Sequence, residues 1–377
     1  MTKCARVCCA RQRKKAVFNK NNHPQVYSGK LWAVRAQSTA VKQDTDSREK
    51  PPLRAVDLAQ KVQREKRKTL QQSEQSPVSA LQQRVTELRS LTKQLQKVHP
   101  NVLAKHLHRG VLYQDKHLVV INKPYGITVQ DDAATSAISI ASVLPVLSKM
   151  IDGSKVKTDS VLLPCLGLEK EVTGTVLLAR SVKAADYISA LHKNNQVIRK
   201  YWAVIVGVPV PSEGVIDIPI IEREVTGDRP HYKMSLSPLF RMNDGGDGLT
   251  KMRAHRHAQP AVTKYKVLDS SSGCSLVELE PLTDVKHQLR VHMAFALACP
   301  ILGDHKYSHW IKLAPQKLPE RLLKSLKLEQ SKIRNLPLHL HARELKVRQT
   351  AEIFLTCFLP KYFFQTLSLL HLTFKDE

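Results

Sequence analysis

Several features of other protein classes are missing from this chain. Its seven cysteines are scattered and none stands in a C-x-x-C pair, which argues against a zinc ribbon and against a secreted disulfide framework. Neither G-x-x-x-x-G-K-S/T nor G-x-G-x-x-G occurs, so the two common nucleotide-binding loops are absent. No apolar run is long enough to cross a bilayer. A protein of a reducing interior compartment fits these absences best.

Acidic residues are few relative to basic ones. The chain has 59 Lys and Arg against 33 Asp and Glu, a formal net charge of +26. Neutralisation of phosphates by Lys and Arg drives nucleic-acid binding, so nucleic acid is the favoured partner. An anionic membrane surface and a generally basic compartment are the alternatives. With 377 residues, 42% of them hydrophobic, the chain is able to bury a core as one large domain or two.

The first 43 residues contain no acid at all. They hold ten Lys or Arg, and the first carboxylate is Asp44. Arg-rich, acid-free leaders are typical of mitochondrial presequences, which the matrix-negative potential draws inward. We therefore predict a presequence over residues 1–43 and location in the mitochondrial matrix. The alternative is a basic RNA-binding arm. Without these residues the net charge is still +16.

Residues 44–105 are predicted to form a charged linker followed by an amphipathic helix over residues 78–98. Apolar residues recur there at steps of three and four, and the pattern stops before Pro100. Two interpretations remain open for this helix. It packs on the domain that follows, or it binds a protein partner. The residues that define its apolar face are Val78, Leu81, Val85, Leu88, Leu91, Leu95 and Val98.

Residues 106–377 carry short apolar strands separated by turns, with helical segments such as "KAADYISALHKN" between them. This texture predicts an α+β domain whose central sheet is mainly antiparallel or mixed, with flanking helices. Residues 223–260 form a basic, glycine-containing insertion in that domain. Loops of this length are usually functional or disordered, and we expect this one to face RNA.

Four histidines are candidates for metal ligands. His339 and His341 lie on one face of a predicted strand, and His287 and His292 are close to each other in sequence. Zinc sites usually include cysteine or carboxylate ligands at tight spacing, and no such set converges here. We therefore expect no metal site.

Six short motifs occur in the order and spacing of a known family. The chain resembles the RluA-type RNA pseudouridine synthases over residues 111–342, and "VHPNVLAKHL", "LAPQKL" and "LEQSK" resemble its vertebrate mitochondrial branch. The six motifs are N-K-P-x-G at 122–126, K-E-x-T-G at 170–174, K-Y-x-A at 200–203, H-Q-I/L-R-x-H at 287–292, P-I-x-G-D-x-x-Y at 300–307 and L-H-A at 340–342.

This resemblance implies the pseudouridine synthase fold and an isomerase that converts uridine in RNA to pseudouridine without cofactor or metal. Such an enzyme flips the target base out of its stack. The family's nucleophilic aspartate, its supporting arginine and its base-contacting tyrosine map to Glu169, Arg290 and Tyr201. An adjacent arginine keeps a buried carboxylate ionised, as nucleophilic catalysis requires. The expected RNA contacts are Lys123, Lys170, Lys200, Lys286, His287 and Gln288.

The match breaks at the nucleophile motif. The family's H-R-L-D falls on Leu166, Gly167, Leu168 and Glu169, so only the leucine is retained. The extra methylene of Glu169 shifts its oxygens by about an ångström, a misplacement on a scale that costs on the order of a hundredfold in rate. Gly167 removes an arginine that in the family helps to displace the base.

Two further segments differ from the family. The usual T-G-R-x-H-Q contains Asp284 and Val285 here, and the histidine expected after N-K-P-x-G is Gln130. We expect Asp284 to compete with Glu169 for Arg290.

Three interpretations follow from the altered motif. Glu169 works as the nucleophile, and the chain is an active synthase. Alternatively, the fold persists as an RNA-binding pseudoenzyme. In the third interpretation, residues 161–169 depart from the natural transcript, which encodes the full motif. The intact K-E-x-T-G, Tyr201 and Arg290 favour the first and third interpretations.

Overall fold

The structure of the protein is a computed structural model with two compact units, residues 1–74 and residues 75–377. Only a helical turn at 63–65 is described in the first unit, so the predicted presequence lies outside the described residues. The described residues are 63–65, 79–131, 138–153, 161–225, 230–237, 240–242, 249–251, 255–348 and 352–374.

The described part of the second unit contains seven α-helices and fourteen β-strands. The helices are α1 (Ala80–Lys93), α2 (Pro100–Arg109), α3 (Ile140–Asp152), α4 (Val182–Lys193), α5 (Gln288–Val291), α6 (Glu320–Leu326) and α7 (Lys361–Leu370). The strands are β1 (Val111–Gln114), β2 (Leu118–Lys123), β3 (Leu163–Leu166), β4 (Thr173–Ala179), β5 (Val197–Val206), β6 (Glu213–Asp217), β7 (Ile220–Val225), β8 (His231–Leu236), β9 (Phe240–Met242), β10 (Leu249–Lys251), β11 (Val262–Ser271), β12 (Cys274–Pro281), β13 (Leu340–Val347) and β14 (Ile353–Thr356).

The predicted amphipathic helix is present as α1, and its apolar face is buried. Ser79 caps it with a capping box, which satisfies backbone N–H groups that a helix start leaves unpaired. Val85 and Leu88 enter the core, and Arg84 donates to Gln365 on α7 at 3.0 Å. The structure therefore favours packing on the domain, the first of the two interpretations. The compact unit begins at Gln75 and includes both α1 and α2, so no domain boundary falls at residue 105.

A mixed sheet organises the domain, as the sequence predicted. Its ten strands follow the order β1-β2-β4-β13-β5-β12-β11-β6, with β3 beside β4 and β14 beside β13. The β4–β13 pair is parallel and the other pairs are antiparallel. The two central strands β5 and β13 are far apart in the chain, so long-range pairing brings the motifs together.

The two faces of β5 serve two separate cores. Trp202 and Val204 pack with α1 and α7 on one face, while Tyr201 and Ala203 pack with α5 on the other. This division follows from the two-residue period of a strand, which sends successive side chains to opposite faces. Neighbours in the K-Y-x-A motif therefore have different surroundings.

Gly174 marks the closest approach between two motifs. Its φ of +115° favours glycine, and a Cβ there would lie 2.3 Å from the carbonyl oxygen of Ala342. The same residues pair in the parallel β4–β13 ladder. The T-G of K-E-x-T-G and the L-H-A motif are thus in backbone contact, which fixes the start of β4 next to the loop that carries Glu169.

The predicted insertion 223–260 is partly regular. β7 pairs with β8 and β9 pairs with β10, each as an antiparallel two-stranded ribbon, where the sequence had predicted a loop. Residues 226–229, 238–239, 243–248 and 252–254 lie outside the described residues. None of the helices that are described has the length and apolar character needed to cross a membrane.

His339 and His341 are fully buried and bonded within the protein. His339 contacts the Pro337 carbonyl and the Thr366 hydroxyl at 2.8 and 2.9 Å, and His341 contacts the Thr173 hydroxyl at 2.9 Å. Within the described ranges, no three His, Cys, Asp or Glu side chains gather as metal ligands. Burial lowers the pKa of His339 to about 4 and that of His341 to about 3. Both imidazoles are therefore neutral at pH 7.

We predict that the protein loses stability as the pH falls from 7.5 to 5. The unfolded chain binds a proton at each histidine near pH 6.5, whereas the folded histidines take one up only near pH 4 or below, so acid favours unfolding. Each buried histidine should contribute about 2 kcal/mol to this fall in unfolding free energy. Urea unfolding at several pH values measures it. Substitution of His341 by Gln should flatten the dependence, while the same change at the exposed His108 should not.

Candidate active site

Glu169 lies in the loop between β3 and β4, and a buried lysine holds that loop in place. Lys123, at the end of β2, has no exposed surface, and its Nζ donates to the carbonyls of Val172, Lys170 and Pro124 at 2.7, 3.0 and 3.3 Å. Three acceptors match the three donors of an ammonium group. Burial lowers the pKa of Lys123 to about 7, against the opposing effect of the Glu169 and Glu171 carboxylates.

The position of Lys123 corrects the expectation that it contacts RNA. A side chain with no exposed surface and three backbone acceptors is not available to a phosphate. Its function in the structure is to hold the loop at residues 170–172, directly after Glu169. The N-K-P-x-G and K-E-x-T-G motifs therefore form one structural unit.

A short ion pair joins Glu169 to Arg290, which are 121 residues apart. Arg290 Nη1 donates to Glu169 Oε2 at 2.7 Å. The arginine side chain is 3% exposed and the glutamate side chain is 30% exposed, so the carboxylate has access to solvent while its partner does not. The extra methylene of Glu169 does not prevent contact with the supporting arginine.

A second carboxylate fixes Arg290 from inside the protein. Asp304 is fully buried and accepts from Arg290 Nε at 2.9 Å and from Nη2 at 2.8 Å, a bidentate pair. Burial alone raises the pKa of Asp304, but the charge and hydrogen bonds of Arg290 outweigh it and hold that pKa below its usual value. Burial likewise opposes the charge of Arg290, while Asp304 and then Glu169 raise its pKa well above normal. Arg290 is therefore permanently charged and oriented.

Arg290 also contacts Glu171. Its Nη2 lies 3.4 Å from Glu171 Oε2, and the Glu171 side chain is 49% exposed. Glu169 and Glu171 face different cavities, because Glu169 borders the one that contains Tyr201 and Glu171 borders a separate depression near Tyr232. Arg290 is therefore shared among three carboxylates, which the motifs alone did not predict.

His287 stands beside the ion pair without adding charge to it. It adopts a left-handed backbone conformation with φ +59°, and its Nδ1 lies 3.3 Å from Glu169 Oε2 and 3.4 Å from Arg290 Nη1. Burial, followed by the nearby positive charge of Arg290, lowers the pKa of His287 to about 3. The imidazole is therefore neutral at pH 7. In the described chain, Arg290 is the charged group within ion-pair distance of Glu169.

Tyr201 lies with Glu169 in the wall of a cavity of about 120 Å³. The tyrosine is 6% exposed, and burial raises the pKa of its phenol, which stays neutral. Leu168, Val172 and Leu340 supply apolar surface to the same cavity. Carboxylate, aromatic ring and apolar wall together form a partly enclosed site that suits a flat, polar-edged ring such as a nucleobase.

The remaining predicted RNA contacts divide into two groups. Lys170 and Lys286 are exposed, and Lys286 pairs with Glu222 at 3.0 Å. Gln288 is buried, and its amide donates to the Val262 carbonyl at 2.9 Å. It also borders the cavity that contains Glu169 and Tyr201, so its contact with RNA stays a prediction.

Lys200 lies on the other face of the sheet from Tyr201. Its ammonium pairs with Glu278 at 3.0 Å and with Glu344 at 3.8 Å, and it borders a cavity of about 980 Å³ on that face. Lys200 therefore does not lie beside the candidate nucleophile, because one residue along a strand reverses the direction of the side chain. Its contact with RNA stays a prediction.

The expected competition between Asp284 and Glu169 is also wrong. Asp284 lies 3.7 Å from Arg199 Nη2 and 3.6 Å from His192 Nε2, and Asp304 is the buried partner of Arg290 instead. Sequence reasoning missed Asp304 as a site residue although it belongs to the G-D-x-x-Y motif. Its place in that motif was the available signal.

Comparison with known proteins identifies the family of this chain. Residues 117–295 match the family described as RNA pseudouridylate synthase. "Pseudouridylate synthase RPUSD4, mitochondrial" is 52% identical in Danio rerio, covering 88% of this chain and 92% of that protein, and 50% identical in Homo sapiens, covering 86% of each. The chain belongs to the RNA pseudouridylate synthase family.

A structural relative supports the same assignment. The structure of "Human RNA Pseudouridylate Synthase Domain Containing 4" is 50% identical, covers 74% of this chain and 98% of its own, and superposes with a TM-score of 0.66. A more distant family member is "Mitochondrial mRNA pseudouridine synthase Rpusd3" of Mus musculus, 31% identical over 72% of this chain and 80% of that protein.

We predict that Asp304→Asn destabilises the fold strongly. The substitution removes one charge of a buried pair and leaves Arg290 without its bidentate acceptor, a change that costs about 3 kcal/mol or more. The unfolding free energy in urea measures the loss. Asp284→Asn is the matched control, because its exposed contacts at 3.6 and 3.7 Å should contribute less than about 1 kcal/mol. Equal losses in the two variants would show that the Arg290–Asp304 pair does not hold the site together.

Proposed function

We propose that the chain is an active RNA pseudouridine synthase, an isomerase with Glu169 as its catalytic carboxylate. The observation that carries this proposal is the 2.7 Å contact between Glu169 and the buried Arg290 at the edge of the cavity lined by Tyr201. A permanently charged arginine within hydrogen-bond distance holds the carboxylate in a fixed orientation, which carboxylate catalysis requires. Family membership supplies the reaction type.

The reaction rearranges one nucleotide. The target uridine flips out of its stack, at a cost of a few kcal/mol, and its base enters the cavity beside Tyr201. With the Glu169 carboxylate assisting, the bond from the sugar C1′ to N1 breaks and a bond from C1′ to C5 forms. The C5 hydrogen leaves as a proton and N1 gains one, so no atom is added overall. The proposal assigns no step to a metal or cofactor.

The RNA is proposed to be mitochondrial rRNA, tRNA or mRNA, modified in the matrix. The acid-free leader over residues 1–43 and the word "mitochondrial" in the names of the relatives support this location. The net charge of +26 supports a polyanionic substrate. Exposed Lys170 and Lys286 flank Glu169 and His287 in sequence and are proposed to contact the RNA backbone.

A specific feature favours a second candidate, RNA binding without catalysis. Gly167 has no side chain where the family resemblance places an arginine, and a Cβ there would meet no atom within 4 Å. The base-displacing function that the resemblance assigns to that arginine is therefore not replaced at this position. A pseudoenzyme would bind RNA with steep salt dependence and form no product.

We predict that Glu169→Gln abolishes pseudouridine formation. The amide has nearly the same shape but carries no negative charge, so product formation in single turnover should fall by about a thousandfold or more. Release of tritium from RNA labelled at uridine C5 measures the reaction of the full chain with mitochondrial ribosomal and transfer RNA. RNA affinity should stay the same or rise, because a negative charge near phosphate is removed.

Glu171→Gln is the matched comparison. It removes a carboxylate that also contacts Arg290 but borders a different cavity, so its rate loss should be much smaller. The opposite order of losses would make Glu171 the catalytic group. No tritium release from the unchanged chain, with release after Leu166→His, Gly167→Arg and Glu169→Asp are combined, would establish the pseudoenzyme or an altered transcript.

A further inference from the structure

A second cavity lies directly beside the one that holds Glu169 and Tyr201. It measures about 280 Å³, and its wall shares Arg199, Pro281, Thr283 and Asp284 with the smaller cavity. The two cavities therefore adjoin through the Arg199–Asp284 pair. When one nucleotide of an RNA strand occupies the first cavity, the sugar-phosphate backbone of its neighbour runs along the adjoining surface.

Arg199 is the buried cation of this shared wall. Its side chain is 8% exposed, its Nη1 donates to the Gly167 carbonyl at 3.1 Å, and its guanidinium carbon lies 5.9 Å from the centre of the Tyr201 ring. The planar guanidinium has further N–H donors that are suited to bidentate binding of phosphate. Arg199 is thus hydrogen-bonded to the backbone of Gly167, the position where the family resemblance places an arginine.

Asp284 holds the position that an external anion would take. Its side chain is 65% exposed, and its two oxygens lie 3.7 Å from Arg199 Nη2 and 3.6 Å from His192 Nε2. The contact with His192 and the charge of Arg199 outweigh burial and lower the pKa of Asp284, so it is ionised at neutral pH. Contacts of this length on an exposed carboxylate contribute little stability and are easily exchanged.

We propose that this second cavity binds a backbone phosphate of the RNA next to the target uridine, with Arg199 as its principal ligand and Asp284 as an internal competitor that the phosphate displaces. Lys193, at the end of α4, adds positive charge to the same wall, and His192 borders it. This inference rests on the proposed function and names the element that holds the substrate strand beside the catalytic carboxylate.

The displacement has a simple electrostatic basis. A phosphate brings a negative charge and several strong acceptors, whereas Asp284 is held by contacts longer than those of a good hydrogen bond. When RNA binds, the exposed Asp284 turns into solvent and the phosphate takes its place on Arg199. The carboxylate thus lowers affinity for RNA whose phosphate must displace it from Arg199.

The test is the affinity of the full chain for a single-stranded uridine-containing RNA oligonucleotide, measured across a salt series. Asp284→Asn should bind about threefold to tenfold more tightly at low salt, because Arg199 becomes free to pair with phosphate. The slope of log affinity against log salt should steepen by about 0.7, the value for one added phosphate contact on a single strand. These gains should vanish when Arg199→Gln is combined with Asp284→Asn.

Glu352→Gln is the matched charge control. Glu352 is 52% exposed and pairs at 2.7 Å with Lys346, which borders the large cavity on the opposite face of the sheet. Its removal changes net charge equally and should raise affinity much less. Because Arg199→Gln also removes the bond to the Gly167 carbonyl, the Asp284 substitution is the primary variant and the double variant tests dependence on Arg199.

The outcomes separate this inference from the proposed function. Equal gains in Asp284→Asn and Glu352→Gln, or a gain that persists without Arg199, would overturn the phosphate site even if the chain forms pseudouridine. Failure of the unchanged chain to bind RNA at all would overturn both proposals. Tighter, Arg199-dependent binding with no product in the tritium assay would support the phosphate site while contradicting catalysis by Glu169.

Discussion

The buried pair between Arg290 and Asp304 is the constraint on which the site depends. A guanidinium at 3% exposure is tolerated only where a carboxylate satisfies it, and the bidentate contact of Asp304 does so while leaving Nη1 for Glu169. The chain reaches this geometry through a tight backbone approach, because a Cβ on Gly303, whose φ is +82°, would lie 2.0 Å from the Pro337 carbonyl oxygen. Gly303 therefore allows the backbone approach that places Asp304, and Asp304 orients Arg290.

Two contacts hold the loop that carries Glu169: hydrogen bonds from Lys123 and the backbone pairing with β13. Lys123 bonds the carbonyls of Lys170 and Val172, and Gly174 fits against Ala342 with no room for a side chain. These contacts explain why a longer carboxylate is accommodated. The loop is fixed at its carboxyl end, and the flexible glutamate side chain extends from it to Arg290.

Positive charge around the site is distributed differently from the pattern that the family resemblance implies. Gly167 and Val285 stand where arginines are expected, and Asp284 adds an acid. Arg199 lies 3.1 Å from the Gly167 carbonyl and near Tyr201, so a guanidinium is still present at the cavity although it comes from β5. An arginine from a rigid strand is held more firmly than one from a loop, which suits binding of a substrate backbone more than displacement of a base.

The sequence by itself determined the α+β class, the mixed sheet, the amphipathic helix and the family, because hydrophobic periodicity and motif order are local properties of the chain. It also identified Glu169, Tyr201 and Arg290, which the structure brings together. Only the tertiary structure decided that Lys123 and Gln288 are buried, that Lys200 faces away, and that Asp304 rather than Asp284 pairs with Arg290. Burial and ion pairing between distant residues depend on how strands stack and which way each side chain points, and residue type alone does not specify either.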